Sequence, residues 1–130
     1  MRYGGKNIKL SDIADSLTAN LTAAGVEIFR MESKNTESIY LKIDYGVCNT
    51  IRISSHYSRK CRYNIGPYIS HFRVEHGRYD RYYYQVKRCD ELTRRIMKDR
   101  RTLLRRYGRK TYDRYMRMNK EKYHDECRRI

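Results

Sequence analysis

The chain has 130 residues, with 30 Lys/Arg against 15 Asp/Glu, four Cys, one Pro and no Trp. That length suits one compact domain and is too short for two ordinary ones, while an apolar share of 39% placed periodically excludes a basic disordered tail. No apolar run reaches the roughly 20 residues that a membrane-spanning helix needs, and Met1-Arg2-Tyr3-Gly4-Gly5-Lys6 has no apolar stretch behind its charge, so a cytoplasmic protein without membrane contact is expected.

In chain order, Ser11 is placed to cap a helix over 11–24 whose Ile13, Leu17 and Leu21 recur every fourth position, with Gly25 positioned to end it. From Val26 the period becomes two: Val26 and Ile28 alternate with Glu27 and Phe29 up to the polar turn at 34–37. Ile39, Leu41, Ile43 and Tyr45 then face one way and Tyr40, Lys42 and Asp44 the other. After Gly46, Val47, Ile51 and Ile53 point inward while Thr50, Arg52 and Ser54 point outward, which predicts a three-stranded antiparallel sheet with one solvated face. His56 to Pro67 reads as a long basic loop. Residues 68–74 and 82–86 read as two further strands around a turn at Gly77. Cys89, Leu92, Ile96, Leu103 and Leu104 predict a second helix over 87–107 ending at Gly108, and Thr111 is placed to cap a third with the stripe Tyr112, Met116, Asn119, Tyr123 and Cys127. The expected fold is α+β: an N-terminal helix, an antiparallel sheet of three to five strands, and a C-terminal antiparallel pair of basic helices, in one domain over 1–130.

The charge is unevenly placed. Residues 1–55 hold seven Lys/Arg against six Asp/Glu, and residues 56–130 hold twenty-three against nine, together with eleven of the fourteen Tyr. A near-neutral core followed by a basic Tyr/Arg-rich part points to a polyanion, because self-repulsion at +15 opposes compaction unless a partner neutralises it. Arg exceeds Lys in this part, and guanidinium binds phosphate in a fork. The residues expected to contact DNA or RNA backbone, or another acidic partner, are Arg52, Arg59, Lys60, Arg62, Tyr63, Arg78, Arg94, Arg95, Lys98, Arg101, Arg105, Arg106, Arg114 and Arg117. Tyr57, Tyr63, Tyr68, Tyr79 and Tyr82 are candidates for base stacking, whereas Tyr83 and the third-helix stripe read as core. Asp90 with Arg94 and Glu91 with Arg95 are spaced to pair along the second helix, and such pairs are too few to cancel its charge.

Widely spaced Cys48, Cys61, Cys89 and Cys127 without a C-x-x-C pair read as free thiols. Cys48, His56 and Cys61, with His71 or His76, offer the thiolate and imidazole donors of a zinc site, although the spacing is no established signature and no cofactor is the first expectation. His71, Glu75, His76 and Asp80 miss the metalloprotease spacings, and no paired acidic cluster holds the Mg²⁺ of a phosphodiesterase. Ser54, Ser55 and His56 lack a Gly-rich elbow. A binding protein is therefore expected in preference to an enzyme, with a metal-dependent nuclease as a third alternative behind a stand-alone DNA/RNA-binding protein.

The strand Ile51-Arg52-Ile53-Ser54-Ser55-His56, preceded by a Tyr-containing strand and followed by a basic loop with Tyr63-Asn64, resembles a segment of small basic phage proteins that include inhibitors of type II CRISPR effectors. The resemblance covers residues 38–66 and leaves both Arg-rich helices outside it. It implies a non-enzymatic anti-CRISPR protein of the host cytosol, whose partner is an effector nuclease or its ribonucleoprotein and which blocks guide or target engagement.

Overall fold

The computed structural model describes residues 9–33, 38–54, 68–74, 77–82 and 89–128, with side chains to 78 and from 89 to 124. It is α+β. Helix α1 (Leu10–Ala23) leads into strands β1 (Ile28–Glu32), β2 (Ser38–Ile43), β3 (Asn49–Ser54), β4 (Tyr68–Arg73) and β5 (Arg78–Tyr82), followed by α2 (Cys89–Tyr107) and α3 (Arg109–Arg128). The five strands form one antiparallel sheet in the order β1-β2-β3-β4-β5.

Alternation decides the two faces of that sheet. Leu41 lies opposite Ile51, and Ile39 opposite Ile53, which in turn faces Ile69, so the centre of one sheet face is apolar, with Asn49, His71 and Arg73 at its edge. Ile13, Leu17 and Leu21 of α1 and Leu92, Ile96 and Leu103 of α2 join those strands in one buried core. Each such side chain contributes about 1.5–3 kcal/mol on leaving water, which is why the two amphipathic helices settle on this face.

The opposite face is less solvated than the alternation predicts. Ser38, Thr50, Ser54 and Ser70 are all buried there. They are short side chains lying between larger half-buried neighbours: Arg52 donates to Ser38 Oγ at 3.5 Å and its guanidinium carbon sits 5.8 Å from the centre of the Tyr40 ring, while Phe72 lies opposite Thr50. Large residues shade small ones.

Several boundaries move, each for a local reason. Helix α1 starts at Leu10, with Lys9 at its N-cap position and no side-chain cap; Leu10 packs on the core, which places Ser11 inside the first turn instead of ahead of it. Tyr45 does not extend β2, because Asp44, Tyr45 and Gly46 all have positive φ (49°, 56° and 84°) and turn the chain before β3 begins. Strand β5 starts earlier than expected: Gly77, at φ +66°, donates to Arg73 O at 2.9 Å, closing a tight turn that pairs Arg78 with Arg73 at once. Residues 83–86, the rest of the expected strand, lie outside the described residues, as does the loop expected over 56–67. Gly108 alone links the last two helices: its N–H donates to Leu104 O at 2.9 Å and its carbonyl accepts from Tyr112 N at 3.0 Å, so α3 starts at Arg109 and Thr111 is no cap.

The left-handed turn at 44–46 leaves no room for a side chain at its end. A Cβ on Gly46 would lie 3.2 Å from the Tyr123 hydroxyl, and the left-handed conformation itself costs a non-glycine residue about 1–2 kcal/mol. Gly46→Ala is therefore expected to lower unfolding free energy by about that amount, measured by urea titration, with Gly77→Ala as the comparison where no neighbour lies within 4 Å.

Candidate nucleic-acid interface

Two buried carboxylates position the C-terminal helices. Asp44, fully buried at the β2–β3 turn, accepts from Arg100 Nε of α2 at 2.6 Å, from the Tyr112 hydroxyl of α3 and from the Glu27 N–H at 3.2 Å. Asn119 of α3 adds a bond from Nδ2 to Tyr45 O at 2.9 Å, and Tyr123 stacks on Phe29 at 4.9 Å between ring centres. Burial disfavours the charged Tyr112 phenolate and pushes its pKa up, with the Asp44 hydrogen bond and charge adding to the rise. Burial alone would lower Arg100, yet the Asp44 hydrogen bond and charge together hold it above its ordinary value.

The second carboxylate belongs to α2 itself. Asp99 points into the protein and receives two bonds from Arg73, Nε and Nη2, at 2.7 Å each, and one from Asn49 Nδ2 at 3.0 Å. Asn49 also accepts the Val74 N–H at 3.0 Å and lies 2.8 Å from His71 Nε2. Burial would raise the Asp99 pKa, but hydrogen bonds from Arg73 and Asn49 with the Arg73 charge outweigh it and hold the carboxyl below its usual range.

These attachments fix which side of α2 faces out. Leu92, Ile96, Asp99 and Leu103 form its inner line, and at 100° per residue the opposite line is Arg94, Lys98, Arg101 and Arg105, spaced four, three and four. All four are exposed. None forms an ion pair among the described residues. The ridge is about 16 Å long at about 1.5 Å per residue. On α3 the line opposite Tyr112, Met116 and Tyr123 is Lys110, Arg114, Arg117 and Glu121, also exposed, and Arg114 lies 6.0 Å from the centre of the Tyr115 ring.

Two of the three acids of α2 are engaged elsewhere, and the third, Glu91, is exposed in its first turn. Asp99 is buried against Arg73, and Asp90 accepts from Asn20 of α1 at 3.2 Å, so the expected Asp90–Arg94 pair is absent among the described residues. Arg95 is half-buried and Arg106 exposed, and both have further contacts of their own. Arg78 is exposed at the start of β5, paired across the sheet with Arg73. Arg52 lies on the outer sheet face, held against Tyr40. The structure thus brings Arg94, Lys98, Arg101 and Arg105 together, places Arg114 and Arg117 on a second ridge, and leaves Arg52 on the sheet face opposite the α2 core contacts; Arg59, Lys60, Arg62 and Tyr63 lie outside the described residues.

Of the metal candidates, Cys48 is buried in the turn before β3 and His71 is buried on β4; His56, Cys61 and His76 lie outside the described residues. Burial, then the nearby Asp44 and Asp99 charges, push the Cys48 thiol well up, and burial raises Cys89 as well. Both are thiols packed in the core. Among the described tyrosines, Tyr112 is wholly buried, as the core reading of its stripe expects, and Tyr68 is half-buried; the side chains of Tyr57, Tyr63, Tyr79 and Tyr82 lie outside the described residues.

Replacing Arg73 with Met leaves Asp99 buried without its ion partner, and the expected loss is about 3–5 kcal/mol of unfolding free energy. Because folding lowers the Asp99 pKa, its stabilisation is complete above the unfolded-state value of about 4 and disappears as pH falls through the lower folded value. The stability gap between wild type and Asp99→Asn is therefore expected to narrow in acid-pH urea titrations below about pH 4; an unchanged gap would show that the carboxylate charge contributes nothing. In native protein at neutral pH, peptide-level alkylation is expected to leave Cys48 and Cys89 unmodified until denaturant is added. No protein-family model, curated protein or solved structure matches the chain, so function is argued from the surface itself.

Proposed function

We propose that the chain is a non-catalytic binding protein that docks on a nucleic-acid phosphate backbone through the outer ridge of α2, with the α3 ridge as a flanking contact. The observation that carries this reading is the line Arg94, Lys98, Arg101 and Arg105: four exposed cations opposite the core, without ion pairs among the described residues. Three of the four are Arg, which binds phosphate in a fork and gives up hydration more readily than Lys. A solvated helix face ordinarily intersperses acids at i,i+4, and this line has none between 94 and 105.

Binding without catalysis is the simpler use of such a surface. Two described carboxylates and one imidazole are committed to holding the fold: Asp44 and Asp99 each hold a guanidinium, and His71 is buried beside Asn49.

A type II CRISPR effector ribonucleoprotein, the partner implied by the resemblance, is one carrier of such a backbone. Within the described residues that resemblance falls mostly on structural positions, since Ile51, Ile53 and Ser54 are buried and Arg52 lies against Tyr40. The effector is thus a partner to be tested on the ridge, and a stand-alone DNA/RNA-binding protein is the broader reading that the charge supports.

The triple variant Arg94→Glu, Arg101→Glu, Arg105→Glu is expected to weaken nucleic-acid binding by more than about tenfold in fluorescence anisotropy, while the melting curve keeps its shape because all three side chains are exposed. Undiminished binding by a folded triple variant would remove α2 from the interface. With a purified effector ribonucleoprotein, retained inhibition of target cleavage by the same variant would place effector contact elsewhere than on the ridge.

A further inference from the structure

We infer that the α2 ridge selects duplex over single-stranded nucleic acid, by backbone contact alone; this deepens the phosphate-binding reading and rests on it. Proteins that hold single strands add aromatic side chains to a basic groove, because unpaired bases stack on them. Helix α2 has no aromatic residue from Cys89 to Arg106. Tyr107, at its end, is half-buried and set edge-on against Tyr115 at 5.7 Å between ring centres.

Of the described aromatics on α3, Tyr115 is exposed between Tyr107 and Arg114, and the other two are committed to the fold. Tyr112 is buried with its hydroxyl on Asp44, and Tyr123 is stacked on Phe29. Among the described residues, the α2 ridge therefore has charge to offer and no stacking platform of its own.

Charge alone favours the denser polyanion. A duplex carries one phosphate per about 1.7 Å of axis against about 3.4 Å for each of its strands, so a ridge about 16 Å long faces about twice as many phosphates on a duplex. The four cations step along the helix by about 6, 4.5 and 6 Å, a fixed array that a stiff duplex meets without being ordered, whereas a flexible strand loses conformational freedom to match it. Asp90 and Glu91, exposed one turn before Arg94, repel phosphate and limit the contact to the 94–105 line. Contact with phosphates positions a protein without reading bases, so the selection is for duplex form and independent of sequence.

The test compares the protein on a mixed-sequence 20-bp DNA duplex, on an RNA duplex of the same sequence, and on each strand of either duplex alone, by anisotropy across a salt series. The DNA duplex is expected to bind more tightly than either strand by about tenfold near 0.1 M salt, with a log–log salt slope of about −3.6 for four neutralised phosphates. Arg101→Ala is expected to make that slope shallower by about 0.9. The RNA arm separates the two sources of a duplex backbone, and the inference holds if either duplex exceeds its own single strands. Single strands bound as tightly as the duplexes would overturn the duplex inference while leaving phosphate binding intact. Absence of binding to every probe would overturn both.

Discussion

The buried carboxylate of Asp44 is the point on which the rest of this structure turns. It sits in a left-handed turn that L-residues disfavour, and it accepts hydrogen bonds from a β1 neighbour, from α2 and from α3. A carboxylate taken out of water is costly unless paired and fully hydrogen-bonded, so the Arg100 guanidinium and the Tyr112 hydroxyl are required by it as much as they benefit from it. Asp99, one residue before Arg100, makes the reciprocal contact outward from α2 to Arg73 on the sheet. Two adjacent residues of α2 thus grip the sheet through opposite charges. Together they set the rotation of the helix about its own axis.

That rotation turns a basic composition into a located surface. With Asp99 turned inward, no acid lies on the outer line of α2 between Arg94 and Arg105, leaving Arg94, Lys98, Arg101 and Arg105 together. The fold and the candidate interface are consequences of the same contacts: the pairing that stabilises the core is what leaves the cations exposed. The inner residues are specified by geometry and desolvation, whereas the outer ones face solvent and carry no such constraint from the fold.

Much of the fold was legible in the alternation Ile39-Leu41-Ile43 and in the helical spacing of Ile13-Leu17-Leu21 and Leu92-Ile96-Leu103, because apolar burial obeys the backbone period. The α2 ridge was legible for the same reason, once the core line gave the helix a direction. Asn49, His71, Asp44 and Asp99 were not, since a polar residue that is buried and satisfied looks the same in sequence as an exposed one. Asp44 was assigned to the outer face by alternation and lies buried past the end of the strand, where alternation no longer holds. Its only signal was proximity to Gly46, which marks a turn but not what the turn binds. Asp99 had the spacing of a surface ion pair, and its true partner, Arg73, is on the sheet, a long-range contact that helical spacing cannot show. The β5 start at Arg78 was missed because Gly77 allows a tighter turn than the Tyr-rich run suggested.

The central claim is that the partner contacts α2 on the line opposite its core. Photo-crosslinking of the intact protein to a DNA duplex, read by mass spectrometry at peptide resolution, addresses it most directly. The account predicts crosslinks concentrated in peptides spanning 94–106, with weaker ones at 110–117. Crosslinks confined to peptides from residues 38–66, with none on α2, would contradict it and return the interface to the β2–β3 strands and the basic loop that follows them.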